Sequence, residues 1–302
     1  MTDPTDPTDP TDPSDSAHLI KHVTRTRFAP SPTGRLHLGH VFAAKVARDF
    51  ARARGGEFLL RFEDIDITRV RPEFYDGIEE DLRWLALHWD GPALRQTDRL
   101  AAYDVALQRL RDLGAVYPCF CTRREIEDEL ARMTGAPHGP EGPHYPGTCR
   151  RLSPAEMEAK LASGMPFSWR FDSTQAGESV GPLTFTDLRF GQIAVEPGVL
   201  GDVILARKDI GTSYHLAVVT DDAFQQITHV TRGEDLLAST HIHRVLQTLL
   251  GFPEPVYWHH EVILDETGKR LAKRHDSLSI RTLRESGKSP AEVLSLLPPD
   301  RL

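Results

Sequence analysis

The chain has 302 residues, 39% hydrophobic and 26% charged, enough for a sizeable core in one large or two smaller domains. A net charge of −8 excludes a histone-like nucleic-acid binder, although a local basic face can still meet phosphates. Three cysteines, an odd number, speak against a disulfide framework, and no run of about 18 apolar residues is present to span a membrane.

Residues 1–16 repeat TDP and carry five of the aspartates with no lysine or arginine. With almost nothing apolar to bury, the segment reads as a disordered, extended tail. It lacks the basic and apolar regions of a signal peptide, so a cytoplasmic protein is expected. RTRFAP (25–30) reads as a short strand running into a loop. HVFAAKVARDFARARG (40–55) has helical apolar spacing and a glycine stop. EFLLRFED (57–64) follows as a buried strand, and EFYDGIEEDLRWLAL (73–87) and DRLAAYDVALQRLRDLG (98–114) as helices. Strand, helix, strand, helix predicts an α/β protein with a doubly wound, mostly parallel sheet.

From about Val116 to Arg150 the pattern breaks, and Gly, Pro and His crowd residues 135–147. A loop-rich insertion is expected there, with residues 167–208 strand-rich. TSYHLAVVTDDAFQQITHVTRG (212–233) returns to helix-then-strand, and DLLASTHIHRVLQTLLG (235–251) to an amphipathic helix. WHHEVILDETGKRLAKRHDSLS (258–279) reads as a strand and a charged loop, and SPAEVLSLLP (289–298) as a short helix capped by its serine. The expected partition is 1–16 tail, 22–115 first half of the sheet domain, 116–200 insertion, 201–260 second half, and 261–302 basic loop and terminal helix.

RFAPSPTGRLHLGH (27–40) carries the chemistry. A strand meets a Pro/Gly loop that opens a helix, the place where α/β sheets bind ligands. Gly34 and Gly39 admit close backbone approach, and the new helix offers free N–H groups to an anion. His37 and His40 share one face of its first turn, where two imidazole donors can hold a phosphate. All three cysteines fall in the insertion, as C-x-C and a third across a loop (Cys119, Cys121, Cys149), a soft donor set for tetrahedral zinc. Spacing alone favours His144 as the fourth ligand, with His138 a further candidate.

These motifs resemble class I aminoacyl-tRNA synthetases. HLGH resembles the HIGH signature, and the fuller string its glutamyl branch. GKRLAKRHD (268–276) resembles the KMSKS loop, with Arg270 at the first lysine, Ala272 at the serine and Lys273 at the second lysine. The resemblance implies a Rossmann-like catalytic domain with a zinc-bearing insertion. It implies that His37, His40 and Lys273 act in catalysis and that His37, Gly39, His40 and Lys273 contact ATP, with Mg2+ expected alongside. It further implies that L-glutamate is held by Arg27, Phe28, Ala29, Pro30, Ser31, Glu63 of RFEDID, Tyr214 and Arg232. An acidic substrate needs such cations, because arginine forks pair with carboxylates.

C-x-C…Y-x3-C resembles the zinc pattern of glutamyl-queuosine tRNA(Asp) synthetases, which implies Tyr145 as fourth ligand beside Cys119, Cys121 and Cys149, in a structural site. The chain ends about thirty residues after the KMSKS-like loop, so no anticodon-binding domain is expected. That family activates glutamate with ATP, without tRNA, and transfers it to queuosine in the anticodon loop of tRNA(Asp). The expected partners are therefore L-glutamate, ATP and queuosine-containing tRNA(Asp), for a monomer with no membrane association. A shortened glutamyl-tRNA synthetase, or a ligase joining glutamate to another carrier, is the alternative.

Overall fold

A computed structural model of the chain describes residues 23–133, 138–140, 142–262 and 279–299. Strand β1 (Arg25–Phe28) leads through the Pro/Gly loop into helix α1 (Leu38–Arg52). Strand β2 (Glu57–Phe62) and helix α2 (Pro72–Trp84) follow, then the short strand β3 (Leu94–Arg95) and helix α3 (Leu100–Asp112). The three strands form a parallel sheet in the order β1-β2-β3, with Arg27 opposite Leu59 and Phe28 opposite Leu60. Val41, Ala44 and Ala47 of α1 and Ile78 and Leu82 of α2 pack with Phe58, Leu60 and Phe62 of β2. Spacings of three and four put those helix residues on single faces, which is why the helices lie against the sheet.

The insertion begins with strand β4 (Val116–Cys119) and helix α4 (Arg123–Arg132). A two-residue hairpin, β5 (His138–Gly139) with β6 (Gly142–Pro143), precedes helix α5 (Pro154–Ala162). Strand β7 (Ser168–Phe171) leads into helix α6 (Ser173–Val180), then the hairpin β8 (Thr184–Asp187) and β9 (Gly191–Ala194), and strand β10 (Ile204–Ala206). Two expectations are corrected here. The loop-rich stretch contains β4 and α4, the latter held by the reciprocal cap of Thr122 and Glu125. The strand-rich stretch contains α6, capped by the Asp172 side chain.

Helix α7 (Tyr214–Phe224), strand β11 (His229–Gly233), helix α8 (Leu237–Leu250) and strand β12 (Val256–His260) complete a second winding unit, with β11 and β12 parallel. Gly251 ends α8 at φ 66°, a left-handed turn that costs glycine nothing. The sheet order is β11-β12-β8-β9, parallel up to β8, while β10-β7-β4 is antiparallel. The pairing therefore interleaves across residue 200: β8 serves the second half, and β10 pairs with the insertion. Thr228, just before β11, joins the two parallel sheets. Its backbone N–H donates to the Arg25 carbonyl at 3.0 Å, and its Oγ1 accepts from the Arg25 N–H at 2.8 Å.

Two short helices, α9 (Ile280–Glu285) and α10 (Pro290–Leu294), return to the first half. Ile280, Leu283 and Val293 pack beside Leu36, Leu38 and Val41. Ser279 forms a bridge with His37, and the Ile280 N–H donates to the Leu36 carbonyl at 2.9 Å. Among the described residues, no helix is long and apolar enough to cross a membrane.

Candidate active site and a cysteine cluster

The C-terminal edges of β1, β2, β11 and β12 meet the N-termini of α1 and α7 in the arrangement anticipated from the Pro/Gly loop. His37 caps α1. Its Nδ1 accepts from the Gly39 N–H at 3.2 Å, and the Nδ1 of His40 accepts from the His37 N–H at 3.3 Å. The rings stack with centroids 3.7 Å apart. Because both Nδ1 atoms are acceptors, each neutral ring carries its proton on Nε2. The pair thus presents N–H donors at a helix N-terminus without needing positive charge, which suits an approaching polyanion.

Beside them lies a set of buried charges. Arg27 donates through Nε and Nη2 to the two carboxylate oxygens of Asp222, at 3.0 and 3.4 Å. Arg61, fully buried, donates to Asp222 Oδ1 at 2.6 Å and to Gln225 Oε1 at 3.1 Å. The two guanidiniums hold Asp222 below the usual carboxylate range against its burial. Glu63 leaves the end of β2, pinned by its N–H to the Pro30 carbonyl at 3.0 Å. Burial pushes its carboxyl up to about 7, opposed by Arg61 and Arg27.

Tyr214 opens α7, and its hydroxyl accepts from Arg232 Nη1 at 3.3 Å. Of the other residues singled out, Phe28 and Pro30 are buried, Ala29 is half-buried and Ser31 is exposed in the loop. Lys273, with Arg270 and Ala272, lies outside the described residues. Sequence reasoning missed Arg61, Asp222, His243 and His259. The one signal was a charge inside an apolar run: Arg61 within FLLRF and Asp222 within AVVTDDAF.

The thiols of Cys119, Cys121 and Cys149 lie within 4.8 Å of one another. Tyr145 Oη is 3.4 Å from both the Cys119 and Cys121 sulfurs, and the Cys121 and Cys149 sulfurs are 3.5 Å apart. Tetrahedral bonds of about 2.3 Å to sulfur and about 2.0 Å to oxygen require S···S near 3.8 Å and S···O near 3.5 Å. Three thiols and the phenol therefore fit a zinc ion with little movement. Arg170, buried, stacks 3.9 Å over the Tyr145 ring and places a cation beside a donor set that is anionic when metallated. His144 lies against Gly139 and Gly201 and does not join the thiol group. The side chain of His138 is outside the described set.

A doubly wound α/β sheet with a stacked histidine pair at one helix mouth defines a nucleotide-binding catalytic domain. A family model described as tRNA synthetases class I (E and Q), catalytic domain, matches residues 23–298, and the chain belongs to that family. It is 50% identical over 279 residues to a glutamyl-Q tRNA(Asp) synthetase of Rhodobacter capsulatus, covering 90% of this chain and 99% of the relative. It is 41% identical to glutamate–tRNA ligase 2 of Nitrosococcus oceani, covering 92% of this chain and 59% of the relative. Among solved structures, a glutamate tRNA ligase of Elizabethkingia meningosepticum in complex with its amino acid superimposes with a TM-score of 0.69 at 30% identity. That match covers 88% of this chain and 53% of the other. The chain is an ATP-using class I synthetase by family.

Proposed function

We propose that the protein activates L-glutamate with ATP, without tRNA, to glutamyl-adenylate and transfers the glutamyl group to queuosine in the anticodon loop of tRNA(Asp). The observation that carries the first half is the charge set of the pocket. Arg27 and Arg61 both pair with Asp222 and act on the buried Glu63 carboxyl, while Arg232 is held against Tyr214. Arginine forks suit a side-chain carboxylate, which glutamine and the neutral amino acids lack. The second half rests on likeness to the glutamyl-Q tRNA(Asp) synthetases.

In this reading Arg27 and Arg232 receive the side-chain carboxylate, with Tyr214 beside them, and Glu63 takes the ammonium group. Phe28, Ala29, Pro30 and Ser31 line the entrance. The α-carboxylate attacks the α-phosphate of ATP, the bond to the β-phosphate breaks, and pyrophosphate leaves with its Mg2+. The Nε2–H groups of His37 and His40 donate to the phosphate oxygens as charge builds, Gly39 allows backbone approach, and Lys273 neutralises the departing pyrophosphate. A hydroxyl of the queuosine ring then attacks the acyl carbon and AMP leaves.

Cys119, Cys121, Tyr145 and Cys149 hold a structural zinc ion, which ties β4 to the loop before α5. The test is ATP–pyrophosphate exchange with each of the twenty amino acids in the absence of tRNA, followed by transfer to tRNA(Asp) with and without queuosine. Exchange with glutamate alone and acylation only of queuosine-containing tRNA are expected. Exchange that appears only on adding tRNA(Glu) points instead to a glutamyl-tRNA synthetase activity.

A further inference from the structure

The surroundings of Arg232 hold more than a salt-bridge partner for glutamate. Its side chain leaves β11 and spends four of its five N–H groups on the protein. Nε donates to His259 Nε2 at 3.1 Å, Nη1 to Tyr214 Oη at 3.3 Å and His243 Nδ1 at 3.2 Å, and Nη2 to Thr240 Oγ1 at 2.5 Å. An arginine has no acceptor, so both imidazoles must be neutral and must offer a bare nitrogen to it. That fixes their tautomers. His259 keeps its proton on Nδ1, 2.6 Å from Asp187 Oδ2, and His243 keeps its proton on Nε2, 3.1 Å from His215 Nδ1. Burial favours this state, holding His259 at about 4 and His243 well below the usual imidazole range.

The chain Asp187–His259–Arg232–His243–His215 therefore runs across β8, β12, β11, α8 and α7. Each member is oriented by the next. Asp187 is itself fixed by the backbone N–H groups of Arg189, Phe190 and His259.

We propose that His243 and His259 are positioning residues that lock the guanidinium plane of Arg232 and set the pocket's preference for a carboxylate. With four donors spent, two protons remain to face a ligand: one N–H on Nη2 and the Tyr214 O–H, whose oxygen already accepts from Arg232. These two donors welcome both oxygens of a carboxylate, whereas the NH2 of an amide would meet one of them donor to donor. A mobile Arg232 loses that bias, because rotation about its side chain moves the spare N–H away from Tyr214. This inference rests on the glutamate reading above.

The test compares His243→Leu with His243→Asn, whose amide oxygen sits where Nδ1 sits and accepts in its place. His259→Gln, whose amide oxygen mimics Nε2, is the matching control. In ATP–pyrophosphate exchange, His243→Leu should raise KM for glutamate about tenfold, leave KM for ATP and kcat near wild type, and narrow the glutamate-over-glutamine ratio by a similar factor. His243→Asn and His259→Gln should return each parameter to within about threefold of wild type.

Equal loss in the Leu and Asn variants, or a rise in KM for ATP matching that for glutamate, overturns the proposal. Nitrogen NMR of the wild-type imidazoles supplies a readout independent of which amino acid is activated. His243 should show a bare Nδ1 and a protonated Nε2 from pH 6 to 8, and the opposite tautomer or a doubly protonated ring also overturns it. If the wild type exchanges with some other amino acid while the tautomers are as stated, the glutamate reading fails and the locked Arg232 stands.

Discussion

At the scale of single residues, the proposed role of Glu63 in holding the ammonium group would couple burial to substrate choice. Water is withdrawn from a carboxyl that must be ionised to hold an ammonium group, so its charge is lost as pH falls through about 7. Glutamate KM should therefore rise below pH 7, steepening toward pH 6, while Glu63→Gln should bind weakly at every pH and lose that limb. Initial rates against glutamate concentration from pH 6 to 8.5 decide it, and an unchanged acidic limb in the variant would sink the assignment. The stability linkage runs the opposite way: a carboxyl raised above its unfolded value stabilises the fold while protonated, and that contribution is lost as pH rises through about 7.

His40→Ala should lower exchange by about 10²–10³-fold with an intact fold, since it removes one N–H donor to developing phosphate charge. Circular dichroism and exchange rates measured together test this, and wild-type rates would refute it. Glu63, Tyr214 and Arg232 were singled out because they sit in strings that resemble a known pattern. Arg61, Asp222, His243 and His259 were not. A charge or an imidazole announces nothing about burial until the strands and helices that enclose it are assembled.

At the scale of elements, what was readable is what has a periodic apolar face. Helices α1, α2, α3, α7 and α8, and strands β1, β2, β11 and β12, bury such faces and were anticipated. Helix α4 (RREIEDELAR) buries no residue and is held by its cap and by pairs such as Arg123 with Glu127 at 3.0 Å, so no hydrophobic stripe revealed it. Helix α6 (STQAGESV) is short, polar and interrupted by Gly177. Helix α9 was hidden behind the charged loop, and only Ser279, its cap, hinted at it. Ile280 is fully buried where α9 meets the first-half core. Ile280→Ala should cost about 2–5 kcal/mol by transfer and cavity terms, measurable by urea unfolding. A loss below about 1 kcal/mol would mean that α9 is not part of that core.

At the scale of the whole molecule, strand pairing crosses residue 200. The chain contributes β8 to the second parallel sheet before returning β10 to the insertion, so each region completes its sheet with a strand from the other's stretch of sequence. The small antiparallel sheet β10-β7-β4 sends Val116, Phe171 and Leu205 into the main core, and the cluster of three thiols and a phenol stands at its edge. Purified protein should contain one zinc per chain. A strong chelator should release it and lower the melting temperature by several degrees, about 2–4 °C per kcal/mol for a chain of this size. Cys149→Ser should match the chelated protein in metal content and melting. Unchanged melting after complete zinc removal would show that the insertion does not depend on the metal.

The bridge between His37 and Ser279 ties the histidine turn of α1 to the start of α9, far along the chain. The terminal helices dock on the half that carries the histidine pair, whereas Arg27 meets Asp222, and Tyr214 meets Arg232, where the two halves join. On the proposed reading, substitutions along that seam should change which amino acid is recognised without disturbing how the nucleotide is gripped.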